Sequence, residues 1–347
     1  MERILVILPS GIGDAIQSFV GFRIIESYYK ESRIVVLVGS NIIKLLSKQF
    51  PKIKFVSNRS FAFFESKQQF DLLIDFNGLP WLKAKLHLHE FHKTIAHTCF
   101  TDKAIMDGAD CIYVNDTPVI NTIFFDANGY EPKPAWTLYA KMAMLALPQD
   151  EASELPSLTQ PVLTNKKSTI RRVKSSGKTV IGLIPGGSSK EKHWPISKHL
   201  RFIKLIKSNK TDIRVFIARS ELCYMKHFTR QGIKVIFNQP IDKIYDFNRD
   251  LDFTIANDTG LMHISGALGI GILGIFLETT PKVWFTYLAN NQGFIKNPKY
   301  QPKRRHQSSP SVLDVYRYAN FLQNKSRNPV AQHKQFKKLG RQIMLHD

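Results

Sequence analysis

Short apolar runs alternate with amphipathic stretches along most of this chain, which predicts strands and helices in turn. The apolar runs have the length of buried strands, and they lie at Arg3–Leu8, Arg33–Val38, Asp71–Phe76, Thr179–Ile184, Ile213–Ala218, Ile233–Phe237, Leu251–Ile255 and Gly271–Phe276. The helical patterns cover Ala15–Tyr29, Ala135–Leu147, Ser197–Lys207 and Val312–Leu322, and Asn41 is placed to cap a further helix. Such alternation is typical of parallel sheets covered by helices, so we predict an α/β fold.

The pattern divides into two similar halves. Each half begins with a strand, a glycine turn and a helix, and the turns are Ser10–Asp14 and Pro185–Ser189. Between the halves, Glu151–Gly177 loses the periodicity and contains prolines, serines and a basic run. We therefore predict a first α/β domain at 1–160, a basic linker at 161–178, a second α/β domain at 179–310 and a C-terminal segment at 311–347. Ligands in such domains bind at the carboxyl ends of the strands.

The segment Ile-Ala-Asn-Asp-Thr-Gly-Leu-Met-His at 255–263 joins a predicted strand to a helix of small residues. The polar turn leaves backbone N–H groups exposed at the start of that helix. Unpaired N–H donors and the helix dipole both favour an anion, above all a phosphate. His263 lies one turn into the helix and could reach the same anion. The first hypothesis is therefore a diphosphate site that uses no metal.

The turn at 185–195 is a second candidate for binding phosphate. Its glycines let the backbone approach a ligand closely. Ser188 and Ser189 supply hydroxyl donors, and Lys192 supplies a point charge suited to phosphate. The alternative is a loop without a function, and Trp194–Pro195 is expected to pack and to start the next helix.

The glycine turn of the first half is not a dinucleotide fingerprint. Ile16 stands where the third glycine of G-x-G-x-x-G should be, and no acid ends the second strand. What remains is Asp14 in a turn with Gly11 and Gly13 at the end of a strand. Two interpretations are open, namely an N-cap of the following helix or a general base.

Two other groups of titratable residues are weaker candidates. Glu221 follows a predicted strand, where it could accept ribose hydroxyls or favour the first turn of a helix. His87, His89, Glu90 and His92 miss the zinc motif H-E-x-x-H by one place, so a solvated helix face is the better interpretation.

The charge of the chain predicts an anionic partner. Its 347 residues include 49 Lys and Arg against 28 Asp and Glu, which gives a net charge of +21. Nucleic acid, anionic lipid or a phosphorylated substrate would fit this excess.

The three cysteines have no metal or redox spacing, and no signal peptide or apolar run of roughly 18 residues is present, which fits a cytosolic protein. The segment at 331–345 is either a basic amphipathic helix for a membrane surface or a frayed tail.

Three motifs in this order resemble glycosyltransferase family 9, the ADP-heptose:lipopolysaccharide heptosyltransferases. They are Arg3–Ile7 with Gly13–Ser18, then Lys192–Pro195, then Asn257–His263, and the resemblance spans roughly residues 1–290. It implies a GT-B fold, in which two Rossmann-like domains face each other across a cleft and the C-terminal helix within 311–347 returns toward the first domain. It also implies an inverting sugar transfer without a metal or other cofactor. Together with the basic charge, we predict a cytoplasmic enzyme that lies peripherally on the inner face of the membrane.

The resemblance also implies roles for the candidate residues. Asp14 would be the general base, with Gly11 and Gly13 in the loop on the acceptor side. The diphosphate of the donor, ADP-heptose or a similar nucleotide sugar, would be held by Ser188, Ser189, Lys192, Thr259, Gly260 and His263. Glu221 would meet the ribose, and Asp258 would contact the donor or cap its helix.

The acceptor implied by the resemblance is a phosphorylated lipopolysaccharide core or lipid A precursor at an anionic membrane, with no specific nucleic acid. One departure concerns Glu278, which stands where the family usually has a Gly-Pro-Thr turn. The alternatives are the same fold with another sugar or acceptor, or a non-catalytic basic binder of anionic glycan or nucleic acid.

Overall fold

The computed structural model of the protein describes residues 2–57, 69–77, 90–97, 110–114, 135–148, 163, 177–279, 281–285, 292–296 and 309–325. The chain forms two compact units, Met1–Ser157 and Leu158–Asp347. Within the described residues each unit contains one six-stranded sheet in which every pair of neighbouring strands is parallel. The prediction of an α/β fold with two parallel sheets is confirmed.

The sheet of the first unit has the strand order β3-β2-β1-β4-β5-β6. Its strands are β1 (Arg3–Ile7), β2 (Arg33–Val38), β3 (Lys54–Ser57), β4 (Gln69–Asp75), β5 (Glu90–His97) and β6 (Asp110–Val114). The described helices of this unit are α1 (Ile12–Tyr28), α2 (Ser40–Gln49) and α3 (Ala135–Leu145). Strand β1 pairs with β2 on one side and β4 on the other, and its residues from Ile4 to Ile7 are fully buried. A continuous apolar run is what a strand buried on both faces requires.

Helix α1 packs closely on α3 at a glycine. A Cβ atom at Gly21 would overlap the backbone carbonyl of Tyr139 and lie 2.9 Å from the ring of Phe76. A larger residue at this position would therefore push the two helices apart.

The predicted cap of α2 is wrong. The helix already begins at Ser40, its N-cap is Gly39, and it has no side-chain capping bond. Asn41 lies inside the first turn, with its amide oxygen packed against Gly39.

The sheet of the second unit has the strand order β12-β11-β10-β7-β8-β9. Its strands are β7 (Thr179–Ile184), β8 (Thr211–Ile217), β9 (Lys234–Phe237), β10 (Phe253–Asn257), β11 (Gly271–Phe276) and β12 (Gln292–Lys296). Its described helices are α4 (Ile196–Ile206), α5 (Leu222–Thr229), α6 (Ile241–Asn248), α7 (Gly260–Ala267), α8 (Pro281–Trp284) and α9 (Val312–Lys325). Short 3-10 turns lie at Lys190–Lys192 and Arg219–Glu221.

The strand order of the second unit decides which loops meet. Strand β10 lies between β11 and β7, so the loops that follow these three strands share one edge of the sheet. Every residue of β10 and β11 is buried, which fixes the positions of those loops.

The C-terminal segment begins on the second unit. Helix α9 packs against α4, β11 and β12, so the described part of 311–347 is attached to that unit. The remaining part, 326–347, includes the predicted basic amphipathic stretch and lies outside the described residues. Among the helices that the structure describes, none is long and apolar enough to cross a membrane.

Candidate active site

Asn257 ties two loops together at the carboxyl edge of the second sheet. Its amide nitrogen donates to the carbonyl of Pro185, and its amide oxygen accepts the backbone N–H of Trp194 at 3.2 Å. The side chain is fully buried at the end of β10. The loop at 185–195 is thereby fixed beside the turn that leads into α7.

Lys192, the predicted cation, and Asp258, which was predicted to contact the sugar donor, meet at this edge of the second sheet. Lys192 Nζ lies 2.8 Å from Asp258 Oδ2, and the hydroxyl of Thr279 donates to the same oxygen. Asp258 is only 5% exposed. The alternative role of Asp258 as a helix cap is wrong, because Thr259 is the N-cap residue of α7 and no side chain makes a capping bond there.

The start of α7 offers unpaired backbone donors. Thr259 is extended, with φ −152° and ψ 158°, and its carbonyl accepts the N–H groups of Met262 and His263. Within the described part of the chain, the N–H groups of Gly260 and Leu261 have no hydrogen-bond partner. Thr259 and Gly260 are partly exposed. Donors of this kind, at the positive end of a helix dipole, favour an anion.

His263 lies beside these donors as a neutral ring. It is 3% exposed, and its Nε2 is 3.9 Å from Asp258 Oδ1. Burial lowers the pKa of His263 to about 4. The charge of Asp258 opposes this shift, and the charge of Lys192 adds to it. Near neutral pH the ring therefore carries one N–H and no charge, so it can donate a hydrogen bond but adds no cation.

Ser189 is bound to the residue that departs from the family pattern. Its hydroxyl donates to Glu278 Oε2 at 3.0 Å, whereas Ser188 is exposed. A serine hydroxyl carries one hydrogen, so Ser189 can donate to a phosphate only after it leaves Glu278. The sequence pointed to both residues, but their contact depends on β11 and β7 lying on either side of β10.

Glu221 supports the glycine turn. One carboxylate oxygen accepts the N–H of Ala218 at 2.8 Å and the other accepts the N–H of Gly187 at 3.3 Å. The carboxylate lies against Gly186, where any Cβ atom would overlap it. Glu221 therefore shapes the turn through backbone contacts. The predicted place of Glu221 in the first turn of a helix is confirmed, because it lies in the 3-10 turn Arg219–Glu221 and is the N-cap residue of α5. Its bond to Gly187 was missed from the sequence, since it needs the β7 and β8 loops to be adjacent.

The residues after Lys192 anchor the loop from both sides. His193 shares hydrogen bonds with the Tyr224 hydroxyl at 2.9 Å and the Gly187 carbonyl at 3.3 Å. Trp194 is buried, and Pro195 is the N-cap of α4. The prediction that Trp194–Pro195 packs and begins the next helix is confirmed.

Asp14 lies in the first unit, at the carboxyl end of β1. Gly11 is the N-cap of α1, Gly13 is its second residue, and Asp14 follows in the first turn. The N-cap interpretation of Asp14 is therefore wrong, because the helix begins earlier than the pattern indicated. The half-buried carboxylate folds back toward Gly11, where a Cβ atom would lie 2.7 Å from Asp14 Oδ2. Burial, and secondarily the charge of Asp14, raise the pKa of Tyr139 in α3.

The histidine cluster near residue 90 is not a helix face where it is described. Glu90 and His92 belong to strand β5, so that prediction is wrong for them. His87 and His89 lie outside the described residues. Over the described ranges, no three His, Cys, Asp or Glu side chains are close enough together to hold one metal ion.

Two Rossmann-like α/β units in one chain are the architecture of the GT-B glycosyltransferases. In this chain the second unit carries Lys192 and the open start of α7 at the carboxyl ends of its strands. The sequence profile of glycosyltransferase family 9 (heptosyltransferase) matches residues 131–312. The chain belongs to this family, and it is a glycosyltransferase. The resemblance predicted from the three motifs is confirmed.

Relatives share both the sequence and the fold. Lipooligosaccharide heptosyltransferase 2 of Campylobacter jejuni is 24% identical over 287 residues, which cover 80% of this chain and 81% of the relative. The structure of ADP-heptose lps heptosyltransferase II from E. coli matches with a TM-score of 0.71 and 16% identity, over 94% of this chain and 99% of the other. A glycosyl transferase family 9 structure from Veillonella parvula matches with a TM-score of 0.71 and 14% identity, over 93% and 98%. The predicted GT-B fold is confirmed.

Proposed function

We propose that the protein transfers heptose, or a closely related sugar, from a nucleotide diphosphate, in the first place ADP-heptose, to a lipopolysaccharide core or lipid A precursor. Membership of the heptosyltransferase family supports this proposal. Two relatives of the same fold are named as an ADP-heptose heptosyltransferase and a heptosyltransferase bound to ADP. The observation that carries it is the pair of open N–H groups on Gly260 and Leu261 at the strand edge that also holds Lys192.

The donor side of the site suits a diphosphate leaving group. As the bond between sugar and phosphate breaks, negative charge grows on the diphosphate. Lys192, the first N–H groups of α7 and the neutral ring of His263 are preorganised donors for that charge. Each such donor stabilises a transition state by on the order of 3 kcal/mol in a site that excludes water. In this proposal they replace a metal ion, and Glu221 accepts the hydroxyls of the ribose.

Asp14 is the proposed general base. It removes the proton of the acceptor hydroxyl while the acceptor oxygen bonds to the anomeric carbon. The bond from that carbon to the diphosphate oxygen breaks, and its electron pair stays on the diphosphate. Attack opposite the leaving group inverts the anomeric configuration. Asp14 is assigned this role because it lies just after a strand end, in the Gly13–Ser18 motif by which the first unit resembles the family.

The charge of the chain supports an anionic acceptor at a membrane. A net charge of +21 suits a phosphorylated core precursor in a bilayer of anionic lipid. We therefore place the protein in the cytoplasm, peripherally at the inner face of the membrane. Nucleic acid is not part of this proposal, which rests on membership of a glycosyltransferase family.

A panel of nucleotide sugars tests the proposal. A ligand that binds only the native protein raises its melting temperature, so ADP-heptose should give the largest rise. Transfer to a core acceptor should then be measured with and without EDTA, and the anomeric configuration of the product should be inverted. A panel in which no nucleotide or nucleotide sugar raises the melting temperature would overturn the proposal in favour of a non-catalytic binder. A large loss of turnover with EDTA would overturn the metal-free chemistry alone.

A further inference from the structure

Two exposed leucines meet at one cavity on the second unit. Three large hydrophobic side chains remain exposed in the described part of the chain, namely Leu205 at 50%, Leu222 at 49% and Leu313 at 47%. Leu205 of α4 and Leu313 of α9 line the same cavity of about 600 Å³. Single exposed leucines are ordinary, but a pair from separate helices at one cavity forms a local apolar surface.

Three cations of α4 line the same cavity as this pair of leucines. Lys198, Arg201 and Lys204 of α4 also line the cavity, at intervals of three residues, and Arg201 lies one helical turn before Leu205. We call the surface formed by Lys198, Arg201, Lys204, Leu205 and Leu313 the α4–α9 face.

The charges on the α4–α9 face have different roles. Lys198 Nζ donates to the carbonyl and hydroxyl of Ser309 and to the carbonyl of Pro310, at 2.6 to 3.0 Å, so it holds the segment before α9 in place. Arg201 and Lys204 are exposed and have no ion-pair partner in the described part of the chain. They therefore remain available to an external anion.

The charged side chains among the described residues that line this cavity are all basic. The lining residues include no Asp or Glu, and α4 contains none. Asp314 accepts the hydroxyl of the lining residue Ser311 at 2.6 Å and offsets only part of this positive charge. The α4–α9 face is thus an apolar centre with a positive rim.

We propose that the α4–α9 face binds the anionic surface of a lipid bilayer. Leu205 and Leu313 would enter the boundary between headgroups and acyl chains, while Arg201 and Lys204 would contact lipid phosphates. This combination of aliphatic and basic side chains is what interfacial membrane helices present. A nucleic acid would use the cations but would gain little from two aliphatic side chains. None of these residues belongs to the proposed donor site. The inference rests on the proposed location at the membrane and deepens it by assigning the contact to one face of the second unit.

Vesicle flotation of the full chain tests the inference. The protein should bind phosphatidylcholine vesicles that contain phosphatidylglycerol and should not bind vesicles of phosphatidylcholine alone. Arg201→Gln with Lys204→Gln should lower the partition coefficient by about 25-fold, because each cation near an anionic surface contributes about fivefold. Leu205→Ser with Leu313→Ser should lower it by about tenfold through the lost apolar area.

Leu222→Ser is the matched control, because Leu222 is exposed to a similar extent but lies on α5. It should leave the partition coefficient unchanged, and all variants should keep the wild-type melting temperature and its shift with ADP. Equal binding by the wild type and both double variants would overturn the inference and place the membrane contact elsewhere, for example after Lys325. Loss with the glutamine variants but not with the serine variants would also overturn it, and competition by an oligonucleotide would then identify a polyanion site.

Discussion

Removing the charge of Glu278 should tighten the binding of a nucleoside diphosphate. Glu278→Gln is the informative change, because the amide oxygen of glutamine can still accept the Ser189 hydroxyl. The charge is lost while the shape and the hydrogen bond are kept. In the protein as it is, Glu278 opposes a bound diphosphate in two ways, since it takes the only hydrogen of Ser189 and adds a negative charge.

The geometry sets the size of the effect. Ser189 Oγ lies 3.0 Å from Glu278 Oε2. A phosphate oxygen on the same hydroxyl would lie about 2.7 Å from Oγ, so the two negative charges would be no more than about 6 Å apart. Their repulsion is about 3 kcal/mol at an effective dielectric constant of 20 and about 0.7 kcal/mol in bulk water. Because Glu278 is exposed, the lower part of this range applies. We expect about 1 kcal/mol, which is about fivefold in affinity.

Isothermal titration with ADP measures this difference. The dissociation constant of Glu278→Gln should be about fivefold lower than that of the wild type at low salt, and the gap should shrink at high salt. Asp246→Asn is a suitable control, because it removes the half-exposed carboxylate of Asp246 on α6, which lies outside the site. The reasoning is refuted if Glu278→Gln binds ADP with unchanged or weaker affinity, or if Asp246→Asn tightens binding equally.

Three further changes have defined outcomes. Asp14→Asn should reduce turnover by at least about 100-fold with little change in ADP affinity, and unchanged turnover in a transfer assay would remove Asp14 as the base. Lys192→Ala should weaken ADP binding, measured by titration, and lower the free energy of unfolding in urea by about 1–3 kcal/mol, since the buried Asp258 loses its ion pair. The control Lys190→Ala changes an exposed lysine of the same loop and should alter neither quantity. Burial lowers the pKa of the fully buried His199 to about 3 in the folded protein, whereas the ring titrates near 6.5 in the unfolded chain. As the pH falls below about 6.5, the unfolded chain therefore binds a proton that the folded protein does not, and stability falls. His199→Phe should flatten part of that fall in unfolding curves at a series of pH values, and an unchanged pH dependence would show that this ring is not responsible.

The central strands could be read from the sequence because both of their faces are buried. Strands β2, β7 and β11 have the predicted limits, since a strand covered by helices on both sides is a continuous apolar run. The edge strands β3, β6 and β12 were missed, because an edge strand needs no such run, whereas the edge strand β9 was predicted at 233–237 from its own short apolar run. The inner strand β5 was also missed, because charged residues and histidines interrupt its apolar positions. Helix α1 was predicted to begin at Ala15 but begins at Ile12, because the glycines that indicated a turn also form the first helical turn.

The members of the candidate site could be found in the sequence, but their contacts could not. Lys192 and Asp258 were both placed at strand ends by local pattern. Their ion pair, and the bond from Ser189 to Glu278, depend on the order β11-β10-β7, which no local pattern contains. The same holds for Glu221, whose bonds to the glycine turn require that β7 and β8 be neighbours.

Binding of the diphosphate at the start of α7 can be observed directly at the amide of Gly260. Selective 15N labelling of glycine, with the Gly260 resonance assigned through Gly260→Ala, would follow this N–H group during a titration with ADP. We predict a large change in the Gly260 chemical shift at the concentration where calorimetry shows binding, and no change for Gly232, which lies in the turn after α5. Saturated ADP binding that leaves the Gly260 resonance in place would show that the nucleotide lies elsewhere.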